Sequence, residues 1–143
     1  WQQVKLKEKD GNKNVLGGLP DALPALVKAY RMQDKVANVG FDWEKKEDVW
    51  AKVKEEIAEF EVELANMDEE KASEEFGDLL FAMVNAARLY KIRPDNALEK
   101  TNIKFRHRFD YVEQKAKEKG QSLKEMTLDE MEALWQEAKL REV

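Results

Sequence analysis

Residues 49–85, with the sequence VWAKVKEEIAEFEVELANMDEEKASEEFGDLLFAMVN, decide the fold of this 143-residue chain. Their first half repeats apolar residues at steps of three and four, the period of a core-facing helix, at Val49, Trp50, Val53, Ile57, Phe60 and Leu64. A short polar break follows, and then a second apolar stripe, at Phe76, Leu79, Leu80, Met83, Val84 and Ala87. The pattern predicts two consecutive helices, over roughly 46–66 and roughly 69–91, with the apolar middle of the second lying deepest.

The segments on either side of this stretch predict further helices. Proline, glycine and capping signals place them over roughly 22–39, over roughly 94–119 and from Thr127 onward. Short connections between several amphipathic helices are typical of a bundle. We therefore predict an all-α fold, a bundle of about five helices with a four-helix core, for residues 20–143. Residues 1–19 lack periodicity and predict a linker or lead-in.

The composition excludes several classes of protein. A net charge of −5 argues against a surface that binds a nucleic-acid polymer through basic residues. The absence of cysteine excludes disulfides and thiolate sites, so we expect a cytoplasmic location. No apolar run approaches the roughly 20 residues of a membrane span, so we expect no membrane association. Because the chain begins at Trp1 instead of Met, we expect a fragment of a longer protein.

Two pairs of acidic residues stand one helical turn apart within the deciding stretch. Glu56 and Glu59 are three residues apart on the first helix, and Glu75 and Asp78 repeat this spacing on the second. Residues three apart share one face of a helix. If the two helices pack antiparallel, four carboxylates meet at one point, where their repulsion requires a cation. Oxygen ligands suit Mg²⁺, with Mn²⁺ as the substitute, and such ions complete their shell with phosphates.

A solvated surface is the alternative interpretation of these acids, because most pairs with this spacing lie on exposed faces. Asp78 argues against it most strongly, since Leu79, Leu80 and Phe81 follow at once. On a helix so apolar, a solvated face is hard to find. We therefore expect Asp78 to be buried and to have a partner.

The acidic pattern resembles the signature of the MazG family of all-α nucleoside triphosphate pyrophosphohydrolases. The resemblance rests on KVKEEIAEFEVEL at 52–64 and EEFGDLLFAMVNAAR at 74–88. Two flanking segments are also similar, LPALVKAYRMQDKVANVGFDW at 23–43 and ALEKTNIKFRHRFDYVE at 97–113. The likeness extends from about Val15 to the end of the chain. Only one signature occurs, so the chain resembles the C-terminal half of a full-length protein, with residues 1–19 as a linker remnant.

The resemblance implies a homodimer that cleaves nucleoside triphosphates between the α and β phosphates, yielding a nucleoside monophosphate and pyrophosphate. It places magnesium ligands at Glu56, Glu59, Glu75 and Asp78. It places nucleotide contacts at Lys104, Arg108, Trp135 and Lys139, with Lys52 and Glu74 flanking the metal ligands. The segment KASE, residues 71–74, is less acidic than the family pattern, so its contacts are the least specified.

The chemistry of such a site needs no side-chain nucleophile, because metal ions can neutralise phosphate charge and activate water. Glu55 or Glu59 could orient or deprotonate that water, and the sequence does not choose between them. Lys104 and Arg108 share a helix face and suit either a triphosphate tail or a solvated basic stripe. Trp135 suits either core packing or stacking on a base.

Other classes of helical protein fit the sequence less well. A di-iron bundle needs Glu-x-x-His pairs on two helices, and the chain has a single histidine. No loop has the ligand spacing of an EF-hand. A non-catalytic dimerisation or interaction module, whose acids form a charged surface, stays open as the alternative to an enzyme.

Overall fold

Five α-helices account for most of residues 14–142, the part of the chain that the computed structural model describes, and this part contains no β-strand. The helices are α1 (Ala25–Ala37), α2 (Val49–Ala65), α3 (Glu69–Leu89), α4 (Pro94–Glu118) and α5 (Leu128–Leu140). Short 3-10 turns at Lys46–Asp48 and Leu123–Glu125 precede α2 and α5. The predicted all-α class is confirmed. Of the predicted linker, residues 14–19 form turns and residues 1–13 lie outside the described part.

Local capping explains where two of the helices begin and where one ends. The Asp68 side chain accepts a hydrogen bond from the backbone N–H of Lys71 at 3.1 Å, which satisfies a donor that the first turn of α3 leaves free. Thr127 and Glu130 form the predicted capping box at the start of α5. Gly120 has a φ of 67°, a left-handed conformation that suits glycine and stops the chain from continuing α4.

The described residues form two compact units, the first ending at Asp95 and the second beginning at Asn96. In the first unit α2 packs along α3, α1 packs against α3, and the core consists of Val49, Val53, Ala82 and Ala86. In the second unit the buried cluster consists of Val112, Ala116, Met126 and Leu134. Small residues on α3 allow α2 to approach it closely. Each unit has its own cluster of buried apolar residues. A single core shared by four helices therefore stays a prediction.

The prediction that the middle of α3 lies deepest is wrong for its largest side chains. Leu80, Phe81 and Met83 are 45%, 46% and 50% exposed, whereas Ala82 and Val84 are buried. The helix buries a narrow strip of small residues against α2 and leaves the rest of its apolar surface uncovered in a single chain. Apolar periodicity marks residues suited to burial, but it does not say which molecule covers them. None of the described helices is both long and apolar enough to cross a membrane.

Candidate functional site

The buried face of α2 carries a charged side chain. Glu56 is 5% exposed, and its Oε1 lies 3.0 Å from Nζ of Lys52, one turn earlier. Oε2 of Glu55 lies 3.6 Å from the same nitrogen. The hydrogen bond to Glu56 raises the pKa of Lys52. A buried carboxylate is unfavourable unless it is paired, and Lys52 supplies part of that compensation.

Glu75 and Asp78 of α3 meet Glu56 of α2, and we refer to these three residues as the acid cluster. One carboxylate oxygen from each lies within 4.8 Å of the others. Among the described residues, no hydrogen-bond donor reaches the buried Oε2 atoms of Glu56 and Glu75. Two orphaned oxygens at the meeting point of three acids leave room for a cationic partner.

The geometry of the acid cluster fits a small divalent cation. Two ligands of one Mg²⁺ ion, each 2.0–2.1 Å from it, are at most about 4.2 Å apart, so small rotations of these side chains suffice to bind one. The donor set is purely carboxylate, the chemistry that hard cations prefer. The acid cluster could therefore hold a metal ion.

Glu59, a predicted fourth ligand, lies outside this three-residue group. It is exposed, one turn beyond Glu56 on α2. The negative charge of Glu56 raises the pKa of Glu59, and the charges of Glu75 and Glu55 add to that effect. Glu59 is therefore close enough to feel the acid cluster electrostatically.

The expected burial of Asp78 is wrong, because this residue is exposed and Glu56 is the buried member of the cluster. Asp78 lines an open cavity of about 780 Å³ instead of facing the helix-helix contact. The apolar residues that follow it, Leu80 and Phe81, are themselves about half exposed, so an apolar neighbourhood in sequence did not imply a buried one.

The lining of the cavity combines charged and apolar residues. Lys52, Glu56 and Asp78 carry charges at or next to the acid cluster. The apolar lining comes from Leu16, Met32, Val36, Phe41, Trp43, Phe81 and Ala82. Further polar groups come from Gln33, Asp42, Asn85 and Arg88. Apolar walls with a few convergent polar groups, in a volume of this size, are typical of small-molecule sites.

Sequence reasoning missed the polar residues of this cavity outside the acid cluster. Asn85 stands seven residues after Asp78, so the two share a face of α3 two turns apart, and this spacing could have signalled it. Gln33 follows Leu26 and Tyr30 at helical spacing, so it is a polar residue at an apolar position. The aromatic residues between α1 and α2 carry no periodic signal.

An ion pair ties the connection between α1 and α2 to helix α3. The Arg88 guanidinium donates to Asp42, with Nη2–Oδ1 at 2.5 Å and Nη1–Oδ2 at 3.3 Å, and its Nε donates to Asn85 at 3.0 Å. The Arg88 side chain is 8% exposed. Its hydrogen bond lowers the pKa of Asp42. The pair fixes Asp42, and with it the neighbouring Trp43 of the cavity lining, against helix α3.

Arg108, a predicted nucleotide contact, lies in the second unit and is paired with an acid. Its Nε and Nη2 donate to the two carboxylate oxygens of Glu142, both at 2.9 Å. This pairing raises the pKa of Arg108 and lowers that of Glu142. The guanidinium also lies over the ring of Trp135, 5.8 Å from its centroid. Fork-shaped pairing of this kind is also how arginine binds phosphate.

The other predicted nucleotide contacts, Trp135, Lys104, Lys139 and Glu74, lie on three different helices. Trp135 is half-buried, packs against the core cluster of the second unit, and its ring centroid lies 5.1 Å from that of Phe105. Lys104 and Lys139 are exposed on α4 and α5, and Glu74 is exposed on α3. Within the first unit the structure thus brings together Lys52, Glu55 and the acid cluster, and within the second unit it brings together Arg108 and Trp135.

Comparison with known proteins agrees with this site. The family model described as the MazG nucleotide pyrophosphohydrolase domain matches residues 44–113, which include the whole acid cluster. The nucleoside triphosphate pyrophosphohydrolase of Escherichia coli (strain K12) is 41% identical over 147 aligned residues, covering 100% of this chain and 56% of the relative. The nucleoside triphosphate pyrophosphohydrolase/pyrophosphatase MazG of Thermotoga maritima is 36% identical over 140 residues, covering 97% and 54%.

A third relative, the uncharacterized protein YabN of Bacillus subtilis (strain 168), is 49% identical over 141 residues, covering 97% of this chain and 29% of the relative. The chain spans about half the length of the first two relatives. With the matched domain, the near-complete coverage of the chain and the acid cluster at the matched positions, this chain belongs to the MazG family.

Proposed function

We propose that this chain hydrolyses nucleoside triphosphates between the α and β phosphates, giving a nucleoside monophosphate and pyrophosphate. The observation that carries the proposal is the acid cluster, which has two buried carboxylate oxygens without a donor among the described residues and two members, Glu56 and Asp78, that line a cavity of about 780 Å³. The names of the Escherichia coli and Thermotoga maritima relatives, which align with 100% and 97% of this chain, support the same activity. We also propose that this activity serves to remove unwanted nucleotides from the cellular pool.

Glu56, Glu75 and Asp78 are the residues that would hold Mg²⁺, with Mn²⁺ as a substitute. When bound, the ion neutralises charge on phosphate oxygens and makes water more acidic. Carboxylate ligands that leave coordination sites open favour Mg²⁺, which binds through few protein groups and substrate phosphates. Lys52, beside Glu56, adds a positive charge within reach of a phosphate in the same cavity.

Glu59 is the better candidate for accepting the proton of the attacking water. The water oxygen bonds to the α phosphorus, the bond from that phosphorus to the bridging oxygen breaks, and the proton leaves to a base. Glu59 stands one turn beyond Glu56, close enough to the acid cluster for the charge of Glu56 to raise its pKa in the metal-free chain. Glu55 is less suited, because Lys52 lies 3.6 Å from its carboxylate.

The nucleotide contacts that the family resemblance implies are part of this proposal. Arg108 supplies a fork of donors suited to phosphate, and Trp135 supplies an aromatic surface. The remaining members of the set are Lys52, Glu74, Lys104 and Lys139.

We also propose that the enzyme is a homodimer and that it works in the cytoplasm. Large apolar side chains of α2 and α3 are left exposed in one chain, including Trp50, Leu64, Phe76, Leu80 and Met83. A surface of this kind is unusual for a monomer and fits a second copy of the chain. Sedimentation equilibrium at micromolar concentration should give twice the chain mass, and a monomer mass would contradict the dimer.

Product analysis tests the activity. The chain is incubated with Mg²⁺ and each of several ribo- and deoxyribonucleoside triphosphates, and the products are separated by chromatography. We expect monophosphate and pyrophosphate in equal amounts, and no turnover in chelator. Diphosphate with inorganic phosphate would contradict the cleavage position. No turnover with any nucleotide would favour the alternative, a non-catalytic dimerisation module that uses the same exposed apolar surface.

A further inference from the structure

A buried carboxamide lines the same cavity as the acid cluster. Gln33 of α1 is 4% exposed, although glutamine is usually a surface residue. Its Nε2 donates a hydrogen bond to the backbone carbonyl of Phe81 on α3, at 2.9 Å. Its Oε1 is also buried, and among the described residues no donor reaches it. Gln33, a residue of the cavity lining, therefore has one buried acceptor without a protein donor.

The contact with Phe81 fixes which end of the amide is unused. A backbone carbonyl can only accept, so the amide nitrogen must face it and the amide oxygen must point elsewhere. A buried acceptor without a donor is unfavourable, and such groups call for an explanation when they line a site. The Oε1 atom of Gln33 can thus accept a hydrogen bond from an N–H or O–H group that does not belong to the described residues.

The chemistry of the cavity suggests which part of a nucleotide supplies that group. In the function proposed above, the phosphates would lie near Lys52 and the acid cluster, which leaves the aromatic and aliphatic lining of the cavity for another part of the ligand. Phe41, Trp43 and Phe81 belong to that lining. A nucleobase has apolar faces that match aromatic walls and a polar edge that carries N–H donors.

We propose that Gln33 is a specificity-determining residue whose Oε1 accepts a hydrogen bond from an N–H group on the edge of the substrate's base. This proposal rests on the nucleotide pyrophosphohydrolase activity proposed above. The site then favours a base that presents an N–H donor to Gln33 over an analogue that lacks it, because the analogue leaves the buried Oε1 unpaired. The aromatic walls contribute affinity without distinguishing between bases.

Matched pairs of nucleotides that differ in one N–H group test this role. The pairs are ATP with purine riboside triphosphate, CTP with pyrimidin-2-one riboside triphosphate, and UTP with N3-methyluridine triphosphate. Pyrophosphate release in Mg²⁺ gives kcat/KM for each member, with the wild-type chain and with the Gln33→Met variant. This variant keeps the side-chain length and removes the Oε1 acceptor together with the Nε2 donor to Phe81. We expect at least one pair to differ by about tenfold or more in the wild type.

In Gln33→Met that difference should shrink by at least threefold, because the analogue no longer leaves an acceptor unpaired. A purely structural role for Gln33 would lower kcat/KM for both members equally and keep the ratio, which would overturn the proposal. If the two members of every pair differ by less than threefold in kcat/KM with the wild-type chain, the proposal is also overturned, whether or not the variant folds. That result would indicate that water donates to Oε1 of Gln33. Gln33→Leu serves as the second variant if the methionine side chain disturbs α1. Failure of wild type to release pyrophosphate from any nucleotide would refute the activity itself.

Discussion

Like charges converge at the acid cluster of the first unit, whereas Arg108 and Lys115 of the second unit are each paired with an acid. The three carboxylates of the acid cluster lie within 4.8 Å of one another, and two of their buried oxygens lack a donor among the described residues. In the second unit, Arg108 pairs with Glu142 and Lys115 pairs with Glu118. Folding alone would favour the second arrangement, so the first is the one that requires a functional explanation.

The acid cluster and the Arg108–Glu142 pair also differ in whether a ligand must displace a protein group in order to bind. Arg108 of the second unit is already paired with Glu142, so a nucleotide that binds Arg108, as proposed, must compete with Glu142. The acid cluster stays electrostatically unfavourable until a cation binds, so binding energy is available there without displacing a protein group. Metal binding should therefore be the stronger determinant of activity, and nucleotide contacts in the second unit the weaker one.

The largest effect is expected from Asp78→Asn, which keeps the side-chain volume and removes one charge from the acid cluster. Pyrophosphate release should fall by at least about a hundredfold, since even outer partners of metal ligands cost up to that much. In chelator the variant should melt at the same temperature as wild type or higher, because it relieves repulsion. Paired activity assays and thermal melts check both. A lower melting temperature with activity retained would overturn the metal-site assignment.

Glu56→Gln should lose activity to a similar extent but behave differently in the melt. Lys52 lies 3.0 Å from the buried Glu56 carboxylate, so the neutral amide leaves that ammonium without its closest counter-charge. We therefore expect a lower melting temperature in chelator for Glu56→Gln than for Asp78→Asn. Equal melting temperatures would show that Lys52 contributes nothing to holding Glu56 in place.

A smaller effect is expected from Arg108→Ala, with Lys115→Ala as the matched control on the same helix. Both bases are paired with an acid, but Arg108 alone of the two was predicted to contact nucleotide. Losing a charge-assisted hydrogen bond to phosphate should raise KM for ATP roughly tenfold in Arg108→Ala. KM should be unchanged in Lys115→Ala. Equal KM values in both variants would make the pairing with Glu142 purely structural.

The sequence predicted the helices of both units but only part of each site. The helix positions followed from apolar periodicity and from caps such as Thr127 with Glu130, which are local signals. Glu56, Glu75 and Asp78 were predictable because spacing along a helix fixes the face. Gln33 and Arg88 were not, since their roles depend on contacts with residues 48 and 46 positions away. The pairing of Arg108 with Glu142, 34 positions apart, is equally invisible to local pattern.

The pH dependence of stability should have opposite signs for two acids of the first unit. Arg88 lowers the pKa of Asp42 below its ordinary value of 3.8, so ionised Asp42 stabilises the fold above pH 3.8 and loses that effect as pH falls through the lowered pKa. Asp42→Asn should thus cost about 1 kcal/mol at pH 7, and less at low pH, given its partial exposure.

Glu59 provides the contrast, because Glu56 raises its pKa above the ordinary value of 4.5. Its ionised form destabilises the metal-free fold at pH values above the raised pKa, and this penalty disappears as pH falls below 4.5. Glu59→Gln should therefore stabilise the metal-free protein at pH 7 and have little effect at low pH. Urea unfolding of both variants across pH 3–7 checks the signs, and parallel curves for the two would contradict them.

The smallest effect is expected from Glu142→Gln, with Glu118→Gln as its control. Glu142 accepts from Nε and Nη2 of Arg108, at 2.9 Å each, so it competes with a bound phosphate for these two donors. The neutral amide keeps the shape but weakens this competition, which should lower KM for ATP roughly twofold to fivefold. Glu118→Gln frees Lys115 in the same way and should leave KM unchanged. Because exposed ion pairs add little stability, neither variant should shift the melting temperature appreciably. A rise in KM for Glu142→Gln would mean that Glu142 positions Arg108 for the substrate instead of competing with it. The charged pair of the second unit, like the acid cluster, would then require a functional explanation.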